Sequence, residues 1–182
     1  MKTNLLAGIA AFAACAAMAA PADASAWYGS ARVGVSEIDA AGVPFDDGLT
    51  YGAAVGTTAF DIFRVEAGVD RLTGELDLGG FSIDADALVY SATAYIDLPV
   101  GDNASVFAGV GVDYVDAEAS FFGSSIDANG NGWHWAAGGA YRFSERVIVE
   151  AQVREISADL SSPFGDIDSK TLATTLGFRL EL

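Results

Sequence analysis

Residues 171–182 read TLATTLGFRLEL, and this stretch decides the class of fold. Large or apolar side chains occupy nearly every second position from Leu172 to Leu182, and mostly small or polar side chains occupy the positions between them. Alternation with a period of two is typical of a β-strand whose faces meet different surroundings, whereas a helix repeats its apolar residues every three or four positions. The end of the chain is therefore predicted to be a strand with one apolar and one polar face.

Seven earlier segments carry the same alternation, so the sequence predicts eight strands. Apolar side chains are expected to face outward and charged or small side chains inward, which is typical of transmembrane barrel strands of about ten residues. Glycines within the segments and the missing helical stripe argue against helices in the alanine-rich ones. The seven segments are 27–36, 49–55, 63–70, 88–98, 106–114, 133–143 and 147–154.

The predicted connections alternate between short and long, as in outer-membrane barrels, which have short periplasmic turns and longer outer loops. The predicted fold is therefore all-β, an eight-stranded antiparallel transmembrane up-and-down β-barrel with both termini in the periplasm. The short turns are at 61–62, 99–103 and 144–145, and the long loops are at 37–48, 74–86, 116–131 and 157–168.

The N-terminal segment has the features of an export signal. Lys2 precedes an apolar run over residues 5–20, and Ala24-Ser25-Ala26 is a small-residue cleavage pattern. The run is shorter than the roughly 20 residues of a transmembrane helix. We expect a signal peptide at 1–26 and a barrel domain at 27–182. The single cysteine, Cys15, lies within the predicted signal, so no disulfide is expected in the mature chain.

Charge is predicted to be balanced inside the barrel and strongly negative outside it. The chain has a net charge of −16, which argues against a nucleic-acid partner. The four long loops contain fourteen acids and no Lys or Arg. An arginine facing lipid near the bilayer centre costs ~2–4 kcal/mol, so charged strand residues are expected to point inward and pair. The predicted lumen charge network is Arg32, Arg64, Glu66, Asp70, Asp113, Glu150, Arg154 and Arg179.

Both ends of the predicted barrel resemble a known family. The opening AWYGSA (26–31) and the ending TLGFRLEL (175–182) are similar to the first strand and the C-terminal assembly signal of small outer-membrane β-barrel proteins, the OmpA/OmpX-type and opacity-like surface barrels. The resemblance covers 27–182 and departs from the family in having Leu182 where an aromatic residue is usual. It implies an outer-membrane location, contact with lipid, recognition of the last strand by the assembly machinery, and a monomer.

Two patterns are candidates for chemical function. His134 is the single histidine, but Trp135 and Ala136 follow it, so the His-x-Ser pair of barrel deacylases is missing and no catalytic residue is assigned. Asp127, Asn129 and Asn131 match the first half of a calcium-binding loop, but position twelve is Gly138 and not glutamate, so these three are weak metal candidates. No cofactor is predicted.

Each long loop also contains an apolar element, such as Val43-Pro44-Phe45. These aromatics would either form an adhesive tip or pack together as a cap, and capping is the preferred interpretation.

The predicted function is that of a non-enzymatic integral outer-membrane barrel with a structural or adhesin-like surface role, a lumen filled by polar side chains and acidic outer loops. Divalent cations are a further candidate partner for those loops. Three alternatives remain open at this point: a narrow porin-like ion path, an outer-membrane lipid-modifying enzyme, and a soluble periplasmic barrel of lipocalin type.

Overall fold

A computed structural model describes residues 26–40, 42–45, 48–59, 62–77, 82–121, 124–163 and 165–182. The predicted signal peptide lies outside these residues except for Ala26. The described residues contain no helix, and so none that could cross a membrane. Their strands are β1 (Ala26–Ala40), β2 (Val43–Pro44), β3 (Gly48–Ala59), β4 (Phe63–Asp77), β5 (Ser82–Pro99), β6 (Ala104–Phe121), β7 (Ser124–Arg142), β8 (Val147–Ser162) and β9 (Gly165–Glu181).

Eight of these strands form a closed antiparallel ring, as predicted. Consecutive long strands pair with each other, and β1 pairs with both β3 and β9. The short strand β2 pairs with the last two residues of β1 and takes no part in the ring. Register is fixed throughout, because a slip of one residue would move every side chain to the opposite face of the wall.

Both ends of the barrel sequence meet at one end of the ring, which we call the terminal end. There the Leu182 amide donates to the Trp27 carbonyl at 2.9 Å. Short turns also lie at this end, closed by amide-to-carbonyl bonds such as Val100 to Ala104 at 2.9 Å. The opposite end is called the distal end.

The predicted long loops at the distal end are wrong as loops, because most of their residues belong to strands. β6 and β7 stay paired as far as Phe121 and Ser124, and β8 and β9 as far as Ser162 and Gly165. Polar and apolar side chains still alternate in these segments, but the apolar ones now face inward and the polar ones outward. A strand prediction that requires apolar residues on the outward face therefore ends each strand too early. We call the described parts of 37–45, 71–87, 115–131 and 155–171 the distal extension, and the rest of the ring the barrel body.

The outer face of the barrel body is apolar. Val110 is 65% exposed and Leu176 is 63% exposed, both in positions predicted to face lipid. Aromatic side chains lie at both limits of this band, as expected for the two interfacial girdles of a membrane barrel. They are Trp27, Phe63, Tyr141 and Phe143 near the terminal end, and Tyr51, Trp133 and Trp135 near the distal extension.

Beyond the band, both faces of the wall change character. Arg71 donates to Asp86 from Nε at 2.8 Å on the outer surface, and this bond, with a weaker one to Tyr51, raises the pKa of the Arg71 guanidinium. The outward face of the extension is acidic, while its interior holds a cluster of buried apolar side chains. The cluster comprises Leu72, Val115, Ala128, Ile156, Ala158 and Leu160 of the extension, together with Val89 at the adjoining end of the barrel body.

Candidate functional site in the lumen

The lumen of the barrel body is filled by charged and aromatic side chains in layers. Nearest the terminal end, Arg64 donates from Nε to Asp97 Oδ2 at 3.0 Å. Its guanidinium lies 4.0 Å from the ring centre of Tyr95 and 5.0 Å from that of Phe107, a cation–π arrangement in a buried site. Glu150 lies between the two arginines of this layer, 3.8 Å from Arg64 and 3.2 Å from Arg179.

The next layer is centred on Asp70, which accepts from two arginines. Arg32 donates to its two carboxylate oxygens at 2.6 and 2.7 Å, and Arg154 donates to Oδ2 at 2.9 Å. Arg32 also donates to Glu66 at 2.9 Å, and the Tyr28 hydroxyl donates to the same carboxylate at 3.1 Å. Glu66 therefore links this layer to the one containing Arg64, to which it lies within 3.5 Å.

Glycine makes room for the central pair. Arg32 faces Gly52 on β3 and Gly177 on β9 as its cross-strand partners. A Cβ atom at Gly52 would lie 2.0 Å from Asp70 Oδ1 and 2.6 Å from the Val69 carbonyl oxygen. The absence of a side chain at this position thus allows the bidentate Arg32–Asp70 contact to form beside the wall.

Such a network fixes structure more than it adds stability. Desolvation of buried charges offsets most of their attraction, yet removal of one partner leaves an unpaired buried charge, which costs ~3–5 kcal/mol. Each arginine of the network lies beside at least one acid, so the side chains that fill the lumen hold each other in fixed positions.

His134 lies in a third layer, between the ion pairs and the apolar cluster. It is 0% exposed, with Nδ1 at 2.7 Å from Asp113 Oδ2 and Nε2 at 3.0 Å from Thr93 Oγ1. A histidine between a carboxylate and a hydroxyl resembles an acyl-transfer triad in connectivity. Asp113 and Thr93 are buried as well, so no substrate carbonyl reaches the hydroxyl as the barrel stands.

The predicted network is brought together with one exception. Seven of its residues lie within ion-pair distance of one another around Asp70, Glu66 and Glu150, whereas Asp113 pairs with His134 instead of an arginine. The parity of its strand also predicts that Asp97 faces inward, and the structure adds it to the network as a partner of Arg64. Sequence reasoning missed Tyr28, Tyr95 and Thr93, whose inward parity on their strands was the available signal.

The weak metal candidates do not converge. Asp127, Asn129 and Asn131 alternate along β7 on its outward face, where successive same-face residues are about 7 Å apart. Calcium ligands lie ~2.3–2.6 Å from the ion, so these three cannot share one. Within the described part of the chain, no group of three His, Cys, Asp or Glu residues is arranged to hold a metal.

Several solved structures have this architecture. The barrel is similar to Neisserial surface protein A, with a TM-score of 0.72 and 14% identity, over 86% of this chain and 97% of that one. The barrel is also similar to Ail, the attachment invasion locus protein of Yersinia pestis, with a TM-score of 0.58 and 16% identity, over 86% of this chain and 99% of that one. The outer membrane protein OprG from Pseudomonas aeruginosa has a TM-score of 0.59 and 14% identity, over 87% of this chain and 96% of that one. At such identities the likeness establishes the fold alone.

Comparison of the sequence with protein families gives a match over residues 7–179 to the outer membrane protein beta-barrel domain. Comparison with curated proteins gives no match.

Proposed function

Because the chain belongs to the family of the outer membrane protein beta-barrel domain, we propose that it is a non-enzymatic surface protein that binds cationic partners through the outward face of its distal extension. Membership of the family implies a location in the outer membrane, with the apolar band against lipid. In the proposed orientation both termini face the periplasm and the distal extension projects from the cell. We also propose insertion by the outer-membrane assembly machinery through β9, and a monomeric state.

The acidic outward face of the distal extension is the observation that carries this proposal. Among the described residues, its basic side chains are Arg71 and Lys170, and Arg71 is already paired with Asp86. The acids follow one another on seven of the eight barrel strands. They are Glu37, Asp39, Glu75, Asp84, Asp86, Asp116, Glu118, Asp127, Glu155, Asp159, Asp166 and Asp168.

Some of these acids stand directly opposite each other across neighbouring strands. Asp159 is the cross-strand partner of Asp168, and Glu118 is the partner of Asp127. Like charges directly opposite in a sheet are destabilising by roughly 0.2–1 kcal/mol. A cation bound beside such a pair would relieve that repulsion, which favours basic peptide segments and divalent ions as partners.

The neighbour Ail is described in complex with a heparin analogue, sucrose octasulfate, which is a polyanion. The acidic face of the present protein would repel such a ligand. A surface role by analogy with that neighbour would therefore require a partner of opposite charge.

The lumen supports neither of the main rivals. An eight-stranded barrel is just wide enough for side chains to fill it, and here the Arg64 and Asp70 layers occupy it, so steady ion flow is not expected. An acyl-transfer reaction at His134 would need its Thr93 partner to meet substrate, and both side chains are buried.

The experiment uses the full mature chain in nanodiscs of neutral lipid, which leave both barrel ends accessible. Fluorescent decalysine is expected to bind with an affinity that falls as salt rises, since exposed charges are screened within about 8–10 Å at physiological salt. Decaglutamate is expected not to bind. Equal binding of the two peptides would overturn the proposal.

Matched variants locate the binding face. Neutralising Asp159 and Asp168 as asparagines should weaken decalysine binding, whereas Asp102→Asn with Glu145→Gln, in the turns of the terminal end, should leave it unchanged. Equal loss in both double variants would mean that net charge, and not the distal extension, attracts the peptide. A planar-bilayer recording on the same preparation should show no steady conductance, and stable channels would favour the porin-like alternative.

A further inference from the structure

Four strands carry the same two residues near their distal ends, an isoleucine with inward parity followed by an aspartate with outward parity. Every one of these isoleucines is half-buried and every one of these aspartates is exposed. Each pair lies within three residues of the distal end of its strand, and we call this ring of strand ends the distal mouth. The pairs are Ile38-Asp39 on β1, Ile83-Asp84 on β5, Ile126-Asp127 on β7 and Ile167-Asp168 on β9.

The distal mouth leads into a cavity of about 250 Å³ inside the distal extension. Ile38, Ile126 and Ile167 line this cavity near the strand ends, and Val115 and Ile156 of the buried apolar cluster line it more deeply. The aspartates next to these isoleucines point away from the cavity, to the outer surface. Charge at the mouth and apolar surface inside it are thus separated by the wall.

The cavity is closed toward the terminal end of the barrel. Moving along β5 from Val89, the inward positions pass through Thr93, which bonds His134, and then Tyr95, whose ring stacks on Arg64. Paired strands form the side walls. A molecule from the solution on the distal side therefore reaches the cavity past the aspartates of the distal mouth.

Three of the four aspartates also face another acid across a strand pair, one such pair in each of β4–β5, β6–β7 and β8–β9. Asp39 differs, because it lies opposite Lys170. Neighbouring acid pairs are two strands apart, which is about 10 Å along the wall, so a single ammonium group cannot contact all three. The acid pairs are Glu75–Asp84, Glu118–Asp127 and Asp159–Asp168.

These features together fit one kind of partner. Several separate cations are favoured at the mouth, since charges of one sign around a cleft attract the opposite sign. A large apolar side chain is favoured in the cavity, because its burial removes apolar surface from water and because water finds few polar partners there. We infer that the distal mouth binds a basic peptide segment with one large apolar side chain, which enters the cavity while the flanking basic residues engage the acid pairs. This inference rests on the proposed binding of cationic partners and adds the apolar anchor to it.

Two peptides of equal charge, KKKKFKKKK and KKKKSKKKK, separate the anchor from the charge. Each is titrated against the full mature chain in nanodiscs of neutral lipid. The phenylalanine peptide should bind about tenfold more tightly than the serine peptide. Raising the salt concentration should weaken both peptides while the ratio of their affinities persists, because salt screens charges and does not screen apolar burial.

Methyl NMR on labelled Ile, Leu and Val side chains locates the anchor. The phenylalanine peptide should shift the signals of Val115 and Ile156 in the cavity in a saturable way, and the serine peptide should leave them in place. The methyl groups of Val110 and Leu176, on the outer face of the barrel body, report partition of a peptide into lipid.

Filling the cavity should reduce the ratio of the two affinities to about one. Ala158→Phe adds a ring to the cavity wall, and Ala128→Leu adds a smaller group from β7 in case the ring prevents folding. Ala137→Phe, on the outward face of the barrel body, is the matched control and should keep the wild-type ratio. Unchanged Val110 and Leu176 signals show that each variant is folded.

The outcomes separate this inference from the proposed function. If neither peptide binds, the cationic partner is wrong and the inference falls with it. If both peptides bind equally well, or if the ratio persists in both filled variants, the apolar anchor is wrong while the proposed function stands. Shifts confined to Val110 and Leu176 would mean that the phenylalanine peptide enters lipid and not the cavity, which also overturns the anchor.

Discussion

Strand β8 shows two opposite ways of building the same wall. In the barrel body its inward face carries Glu150 and Arg154, and in the distal extension the same face carries Ile156 and Leu160. The outward face changes in the other direction, from valines to acids such as Asp159. The pairing with β7 and β9 continues unbroken through the exchange.

The exchange shows that backbone pairing defines the barrel while the surroundings decide which face is apolar. Against lipid, the wall must be apolar outside, and the enclosed charges must pair with each other. Against water, the same wall follows the ordinary rule of a buried apolar interior. The lipocalin-type pattern, apolar inside and polar outside, is therefore wrong for the barrel body but describes the distal extension.

The largest expected effect comes from removing the centre of the lumen network. Asp70→Ala leaves Arg32 and Arg154 without a shared partner and should lower the free energy of unfolding by ~3–5 kcal/mol. Urea unfolding in lipid vesicles measures it. Asp86→Ala removes an Arg–Asp pair of similar geometry on the exposed surface and should cost at most ~1 kcal/mol. Similar losses in the two variants would contradict the contrast between buried and exposed pairs.

A pair of substitutions on one face of β6 tests where the lipid band ends. Val110→Arg puts a charge on the outward face of the barrel body and should destabilise by ~2–4 kcal/mol if lipid surrounds it. Glu118→Arg, eight residues along the same face, lies in the distal extension, where it replaces a like-charged pairing with Asp127 by an opposite one, and should not destabilise the protein. If Val110→Arg proves as mild as Glu118→Arg, the band does not contact hydrocarbon.

A smaller effect compares two isoleucines. Ile156, 3% exposed, lies inside the distal extension, and Ile96, 46% exposed, lies on the outward face of the barrel body. Ile156→Val should cost ~0.5–1.5 kcal/mol through a lost core contact, whereas Ile96→Val exchanges one lipid-facing side chain for another and should be close to neutral. The comparison fails if Ile96→Val is the more harmful change in vesicle unfolding experiments.

The smallest expected effect is a gain. Asp159→Asn removes one member of the like-charged pair with Asp168 and should stabilise the protein by ~0.2–1 kcal/mol at low salt. Millimolar magnesium should protect the wild-type distal extension from proteolysis more than it protects this variant. Asp102→Asn, at the terminal end, serves as the control. A magnesium effect of equal size in wild type and Asp159→Asn would show that this pair does not attract the ion.

The barrel body could be predicted from sequence because each strand there keeps most of its apolar side chains outward and most of its polar or small side chains inward along its length. Alternation with apolar outward positions located each of the eight strands of the ring, and its parity gave the inward direction of residues such as Arg32 and Glu150. The distal extension could not be found by that rule, since its apolar positions lie on the inward parity. A rule that requires alternation only, whichever face is apolar, would have extended the predicted strands into 116–131.

The contacts within the lumen were beyond sequence reasoning for a different reason. Parity gives the face of a residue but not its neighbours around the ring, and the pairing of Asp113 with His134 joins adjacent strands whose register is set by the entire closed sheet. The position of Arg64 between Tyr95 and Phe107 likewise depends on the tilt of the strands, which no local pattern reports.

The seam between β1 and β9 has a consequence for how the chain reaches this state. Thirteen residue pairs, from Tyr28–Glu181 to Ala40–Ser169, join the first barrel strand to the last. Until β9 has been synthesised and delivered, β1 presents a row of unpaired amide and carbonyl groups, which hydrocarbon does not tolerate. An unfinished sheet therefore has to keep that edge in water or against another strand. Contacts so distant in sequence make closure a late step, and a chain truncated within β9 would lose the ring as a whole and not just its final strand.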